Sequence, residues 1–123
     1  MLYPYKDDYE KIAMGLFSYV DHLKEPKRLI DEINWYQDEE DRQIYLWKSS
    51  ETDDFVGIVG LEIEDELVLI RLISVMPSYR DEGVAHDMLS AVARVFSEYK
   101  IVGTLETAAF VSKWENSQSS SDQ

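Results

Sequence analysis

Apolar residues recur at helical spacing in three stretches of the chain and crowd together in five shorter ones. Ile12, Leu16, Phe17 and Val20 fall on one helical face behind Asp8, a suitable N-cap, which predicts a first helix to about Asp21. Pro26 suits a first helical position, and Leu29, Ile30, Ile33 and Tyr36 supply the apolar face of a second helix. That helix ends before the solvated acidic run Gln-Asp-Glu-Glu-Asp. Val84, Met88, Val92, Val95, Phe96 and Tyr99 mark a third, running from Gly83 to about Lys100.

The crowded stretches read as strands. Gln43 to Lys48 is rich in β-formers, polar turn material follows, and Phe55 to Glu64 returns, which together make a hairpin. Leu67 to Val75, broken only by Arg71 and Ser74, is the longest apolar run and reads as a central strand. Leu2 to Lys6 fits an edge strand, where Pro4 is tolerated, and Ile101 to Leu105 is a brief later strand. Gly57 and Gly60 mark a bulge or, less ordinarily, a close approach by a ligand or another backbone. Thr107 is placed to cap a short last helix carrying Ala108, Val111 and Trp114, and a Ser/Gln tail from Asn116 is expected to be disordered. The order of elements gives an α/β (α+β) fold, with helices on both faces of one sheet and a single domain over residues 1–115.

Charge and composition narrow the partners. With 123 residues the chain buries a core without disulfides, and it has no cysteine, which excludes a thiolate zinc site or a cysteine nucleophile. The net charge of −13, with twelve scattered Lys and Arg residues, argues against nucleic acid. The start lacks the apolar stretch of a signal peptide and no run is long enough for a membrane span, so cytoplasm is the expected compartment. An unpaired sheet edge leaves a homodimer open.

One junction carries chemistry. The apolar strand through Ile73, Ser74 and Val75 ends at Pro77, and Arg80-Asp81-Glu82-Gly83-Val84-Ala85-His86 leads into the third helix. A helix start presents unpaired amides and the positive end of its dipole, a ready seat for phosphate or pyrophosphate. Gly83 and Ala85 keep bulk out of the first turn, so a ligand meets backbone there. Asp81 and Glu82 would repel an anion, which limits their contribution to amides. A glycine at such a place also serves plain strand–helix packing.

Strand, proline, Tyr-Arg, the two small residues and the following Met-Leu together resemble the acyl-CoA signature of the Gcn5-related N-acetyltransferase (GNAT) family. More narrowly, Lys-Ile-Ala-Met-Gly-Leu in the first helix and Asp-Arg-Gln-x-x-Leu-Trp-Lys resemble small members encoded in riboflavin-biosynthesis operons. The resemblance implies a mixed, mainly antiparallel sheet and an acetyl-CoA or coenzyme A ligand. Backbone at Ile73, Ser74 and Val75 would bind the pantetheine arm, and amides from Arg80 through Asp81, Glu82, Gly83, Val84 and Ala85 to His86 the pyrophosphate. Arg80 would pair the phosphates or brace the loop, and Phe110 would line the ligand. The acceptor would be a small-molecule or peptide amine.

Departures from the family pattern bear on catalysis. Family members often carry a tyrosine on the last helix that protonates the leaving thiolate, and here that position is Val111. Glu115 stands where a glycine is usual, and the closing strands of the sheet are absent. Glu62 and Glu64 are poor candidates for a base, since strand carboxylates usually serve solubility. An N-acyltransferase and a catalytically weak CoA-binding regulatory or assembly module linked to riboflavin biosynthesis both follow from the resemblance.

Overall fold

The computed structural model describes residues 1–121. Its strands are β1 (Leu2–Pro4), β2 (Arg42–Lys48), β3 (Phe55–Glu64), β4 (Leu67–Val75) and β5 (Lys100–Gly103). Its helices are α1 (Glu10–Phe17), α2 (Pro26–Gln37), α3 (Val84–Val95) and α4 (Ala108–Ser121). The five strands form one sheet in chain order, antiparallel except for the parallel pair β4–β5. Helices cover both faces. Among the described residues no helix is long and apolar enough to cross a membrane.

Alternation along the strands feeds two cores. Ile44, Leu46, Ile58 and Leu72 pack against Phe17, Ile33 and Tyr36 of α1 and α2, whereas Val59, Leu61, Ile70 and Ile73 pack against Met88, Leu89 and Val92 of α3 and Val111 of α4. The alternation slips once. Gly60 pairs with Leu72 but Leu61 with Ile70, so Arg71 is an extra residue in β4 and the strand bulges there. Gly60 lies beside this bulge, as expected, but what comes close to it is neither ligand nor backbone: a Cβ there would come 2.5 Å from the Tyr36 ring.

Several boundaries differ from the sequence expectation. The first helix is shorter, a 3₁₀ turn (Asp7–Tyr9) precedes it, and no side chain caps either segment, so Asp8 is not its N-cap. Ile12 and Ile30 face solvent, because Ala13 and Leu29 take the inner positions beside them. The third helix stops at Val95, where Phe96 leaves helical geometry. The edge strand is three residues long and β5 ends at Gly103. Residues 116–121, expected to be disordered, continue α4 as helix, since extending an existing helix avoids the cost of nucleation. The remainder of that tail, residues 122 and 123, lies outside the described residues.

Candidate functional site

Strand β4 pairs with β5 only from Leu67 to Ile70, whose partner is Gly103. Beyond the Arg71 bulge β4 runs on to Val75 with no strand among the described residues on that side. The Met76 amide donates to Val56 of β3, so strand alternation turns the Val75 and Ile73 amides to the opposite, open edge. Thr107 holds the divergence open: its buried hydroxyl donates to the Ile70 carbonyl and accepts from the Thr104 amide at 3.0 Å. The last carbonyl of the shared ladder is thereby satisfied by a side chain rather than by another strand.

The opening is a cleft of about 660 Å³ between this free edge, the start of α3 and the outer side of α4. At its far end Gly83 takes φ +84 as the residue before α3, and Asp81, at φ 67, also lies in the left-handed region. Nothing lies within 4 Å of the place a Gly83 Cβ would occupy. The Asp87 amide is the first to bond back, to the Gly83 carbonyl, which leaves the first-turn amides of Val84, Ala85 and His86 without a helical acceptor. An edge with strand-type donors thus leads to a cluster of helix-start donors.

Ten of the eleven residues singled out in the sequence line this one cleft: Ile73, Ser74, Val75, Arg80, Asp81, Gly83, Val84, Ala85, His86 and Phe110. Glu82 is exposed and does not. Arg80 Nε donates to the Val75 carbonyl at 3.1 Å, so its guanidinium braces the loop against the strand it leaves. Ser74 Oγ donates to the Leu16 carbonyl at 2.8 Å and pins α1 to β4. His86 Nε2 lies 3.2 Å from the Gln118 amide nitrogen, on the α4 side.

Other lining residues escaped the sequence reading. Lys113 and Trp114 follow Phe110 by three and four residues on α4, and Trp114 Nε1 donates to Ser90 Oγ at 3.0 Å, which fastens α4 to α3. Helical spacing from Phe110 was a usable signal for both. Tyr19 and Val20 reach the cleft from the turn after α1, a contact across chain distance that no local pattern encodes. Glu106 lines the mouth, and its own backbone amide and the Thr104 hydroxyl hold its carboxyl below the usual range.

Residues 6–116 match the family model for the acetyltransferase (GNAT) family. The chain belongs to this family. A second finding agrees: an uncharacterized N-acetyltransferase in the lysA 3'region of Bacillus methanolicus is 40% identical over 116 residues, covering 94% of this chain and 95% of that protein. Solved acetyltransferase structures share the fold at low identity. AAC(6')-Iy, in complex with the bisubstrate analog CoA-S-monomethyl-acetylneamine, superposes with a TM-score of 0.71 at 14% identity, covering 92% of this chain and 84% of that one. An acetyltransferase from Vibrio fischeri gives 0.62 at 18% identity, covering 84% and 93%. As a GNAT member the chain carries Val111 buried against the second core, where its side chain serves packing and has no proton to give.

Proposed function

We propose that the cleft binds an acyl-CoA, acetyl-CoA in the first instance, and that the chain transfers the acyl group to an amine. The observation that carries this reading is the free edge of β4 beyond Ile70, leading directly to the amide cluster at Gly83. The edge amides of Ile73 and Val75 suit an extended amide-bearing arm added like a strand, and the first-turn amides of α3 suit a diphosphate. The acyl group comes from the thioester. The neutral amine forms the new C–N bond as the C–S bond breaks, the thiolate takes a proton from solvent in the absence of a tyrosine at position 111, and the amine's extra proton also goes to solvent.

Buried Val111 favours a second reading, a module that binds coenzyme A without turnover. The resemblance to riboflavin-operon proteins supports including flavin-pathway amines among the acceptors tested. Strand β5 is an edge, and a second copy seated there would complete the acceptor side.

Acetyl-CoA at about a hundred times its dissociation constant adds about 2.7 kcal/mol, a melting shift of several degrees. Thiol release with a panel of amines then separates transfer from binding alone. Gly83→Asp forces a side chain and a negative charge into the amide cluster at positive φ, so it abolishes the shift. A wild-type melt unmoved by acetyl-CoA, or a Gly83→Asp protein that still shifts, overturns the reading.

A further inference from the structure

The cleft has two ends, and its cations are shared unevenly between them. At the α3 end lie the first-turn amides, His86 and the Arg80 guanidinium, whose Nε is already taken by the Val75 carbonyl. At the closed end, where Thr107 bonds the Ile70 carbonyl, the neighbouring Glu106 lines the wall and brings a negative charge. Lys113 stands between the two. It is exposed on the cleft side of α4, and among the described residues it has no ion pair, hydrogen bond or aromatic ring as partner.

Helix α4 runs from the closed end to the α3 end. It begins directly after Thr107, and near its far end the Gln118 amide nitrogen lies 3.2 Å from His86 Nε2. Lys113 comes six residues after Thr107, about 9 Å along the axis at about 1.5 Å per residue. Helical side chains lean back toward the N-terminus, so its four-carbon stem extends over Ala109 and Phe110, both on the cleft wall, toward the closed end. On the opposite wall the free edge of β4, from Val75 back to Ile70, measures about 17 Å at about 3.3 Å per residue. An extended arm laid along that edge from the amide cluster carries its far end, the sulfur, to the closed end.

We propose that Lys113 holds the thiolate that leaves when the thioester is cleaved, a role that rests on the acyl-CoA reading for its ligand. As the new C–N bond forms, the C–S electron pair passes to sulfur. The Lys113 ammonium donates a hydrogen bond to that anion, and solvent supplies its proton afterwards. The net charge of −13 and the Glu106 carboxylate at the same end both oppose a developing anion, which leaves this lysine to offset them. Phe110 and Trp114 strengthen the pair, because charges flanked by apolar surface attract more strongly than charges in open water.

The thiol of coenzyme A tests this without any acceptor. An alkyl thiol titrates near about 8.5, and one paired with an ammonium titrates lower. Affinity for coenzyme A should therefore rise with pH up to about that value and then level off, whereas desulfo-coenzyme A, which has no thiol, should not follow. In calorimetric titrations from about pH 6.5 to about 9.5, the ratio of the two affinities is expected to climb about fivefold, the upper range for an ion pair that is not fully buried. Tyr19, Tyr79, Arg80, Asp81, His86 and Glu106 also line the cleft, but both ligands meet them alike and the ratio cancels their titration. Lys113→Met should flatten the ratio, and Lys113→Arg should keep the climb. Lys27→Met, exposed on α2, controls for overall charge and should leave the climb intact. A flat ratio in wild type, a climb that survives Lys113→Met, or one that Lys27→Met also abolishes would each overturn the role. A Lys113→Met protein that loses affinity for both ligands equally would overturn it too, since that is the mark of a phosphate contact. Wild type that binds neither ligand would overturn the acyl-CoA reading and the role of Lys113 together, whereas binding of both with a flat ratio removes Lys113 alone.

Discussion

Strand β4 has two neighbours and uses them differently. On the β3 side it is paired from Leu67 to Val75, and both faces of that pair are filled by buried side chains such as Ile58, Leu61, Leu72 and Ile73. On the β5 side the ladder stops at Ile70, a threonine closes it, and the remaining edge looks into an open cleft. The same strand is thus structural on one side and available on the other. What divides the two is a single inserted residue, Arg71: a bulge bends the strand and increases its twist, so a partner that cannot follow the bend falls away.

The largest effect should come from attacking the closed side beside the bulge. Gly60→Ala places a Cβ 2.5 Å from the Tyr36 ring, and that ring is held between Phe17 and Trp35, stacked on the first and edge-on to the second. The ring must shift against both neighbours, so the fold should lose about 3 kcal/mol, read by chemical denaturation. A near-neutral result would show that the first core is softer than its burial implies.

Next in size is the clasp at the point of divergence. Thr107→Val keeps the shape but removes the donor to Ile70 and the acceptor for Thr104, leaving a buried carbonyl and an amide unpaired. The expected loss is about 1–3 kcal/mol. Acetyl-CoA should shift the melt less than in wild type, because the open edge is no longer fixed. A stability loss with an undiminished shift would mean that the cleft forms without the clasp. Smaller again is Ser74→Ala, which unties β4 from the Leu16 carbonyl and should cost about 1 kcal/mol.

The closed side was also the legible side. Strands β3 and β4 were bounded to the residue by their apolar runs, because a strand buried on both faces writes its burial into the sequence. The helix start at Gly83 was legible for another reason, since a left-handed position before a helix favours glycine. What the sequence did not yield is long-range. Nothing local to Arg71 says that it is an extra residue, because the slip is a relation between β3 and β4. Glu32 looked like any polar position of an amphipathic helix, and its setting depends on Arg71, far away in the chain, as well as on His22. The stretch 117–121 has helix-neutral composition and takes its conformation from the packed turns that precede it.

The smallest expected effect separates the two sides by pH. Burial raises the Glu32 pKa above the ordinary value of 4.5, with His22, Arg71 and a contact to Tyr36 opposing it. The folded state therefore binds this proton more tightly than the unfolded chain does, and the folded protein is favoured while Glu32 is protonated. That contribution is fully present below about 4.5 and fades as pH rises through the higher folded pKa. Glu32→Gln is neutral at every pH and lacks this dependence. The melting temperature of Glu32→Gln relative to wild type should thus climb across that window and level off above it. Because Glu32 is only partly buried, the climb should be modest. A difference that falls with pH instead would mean that the surrounding cations outweigh burial, and that Glu32 is already paired.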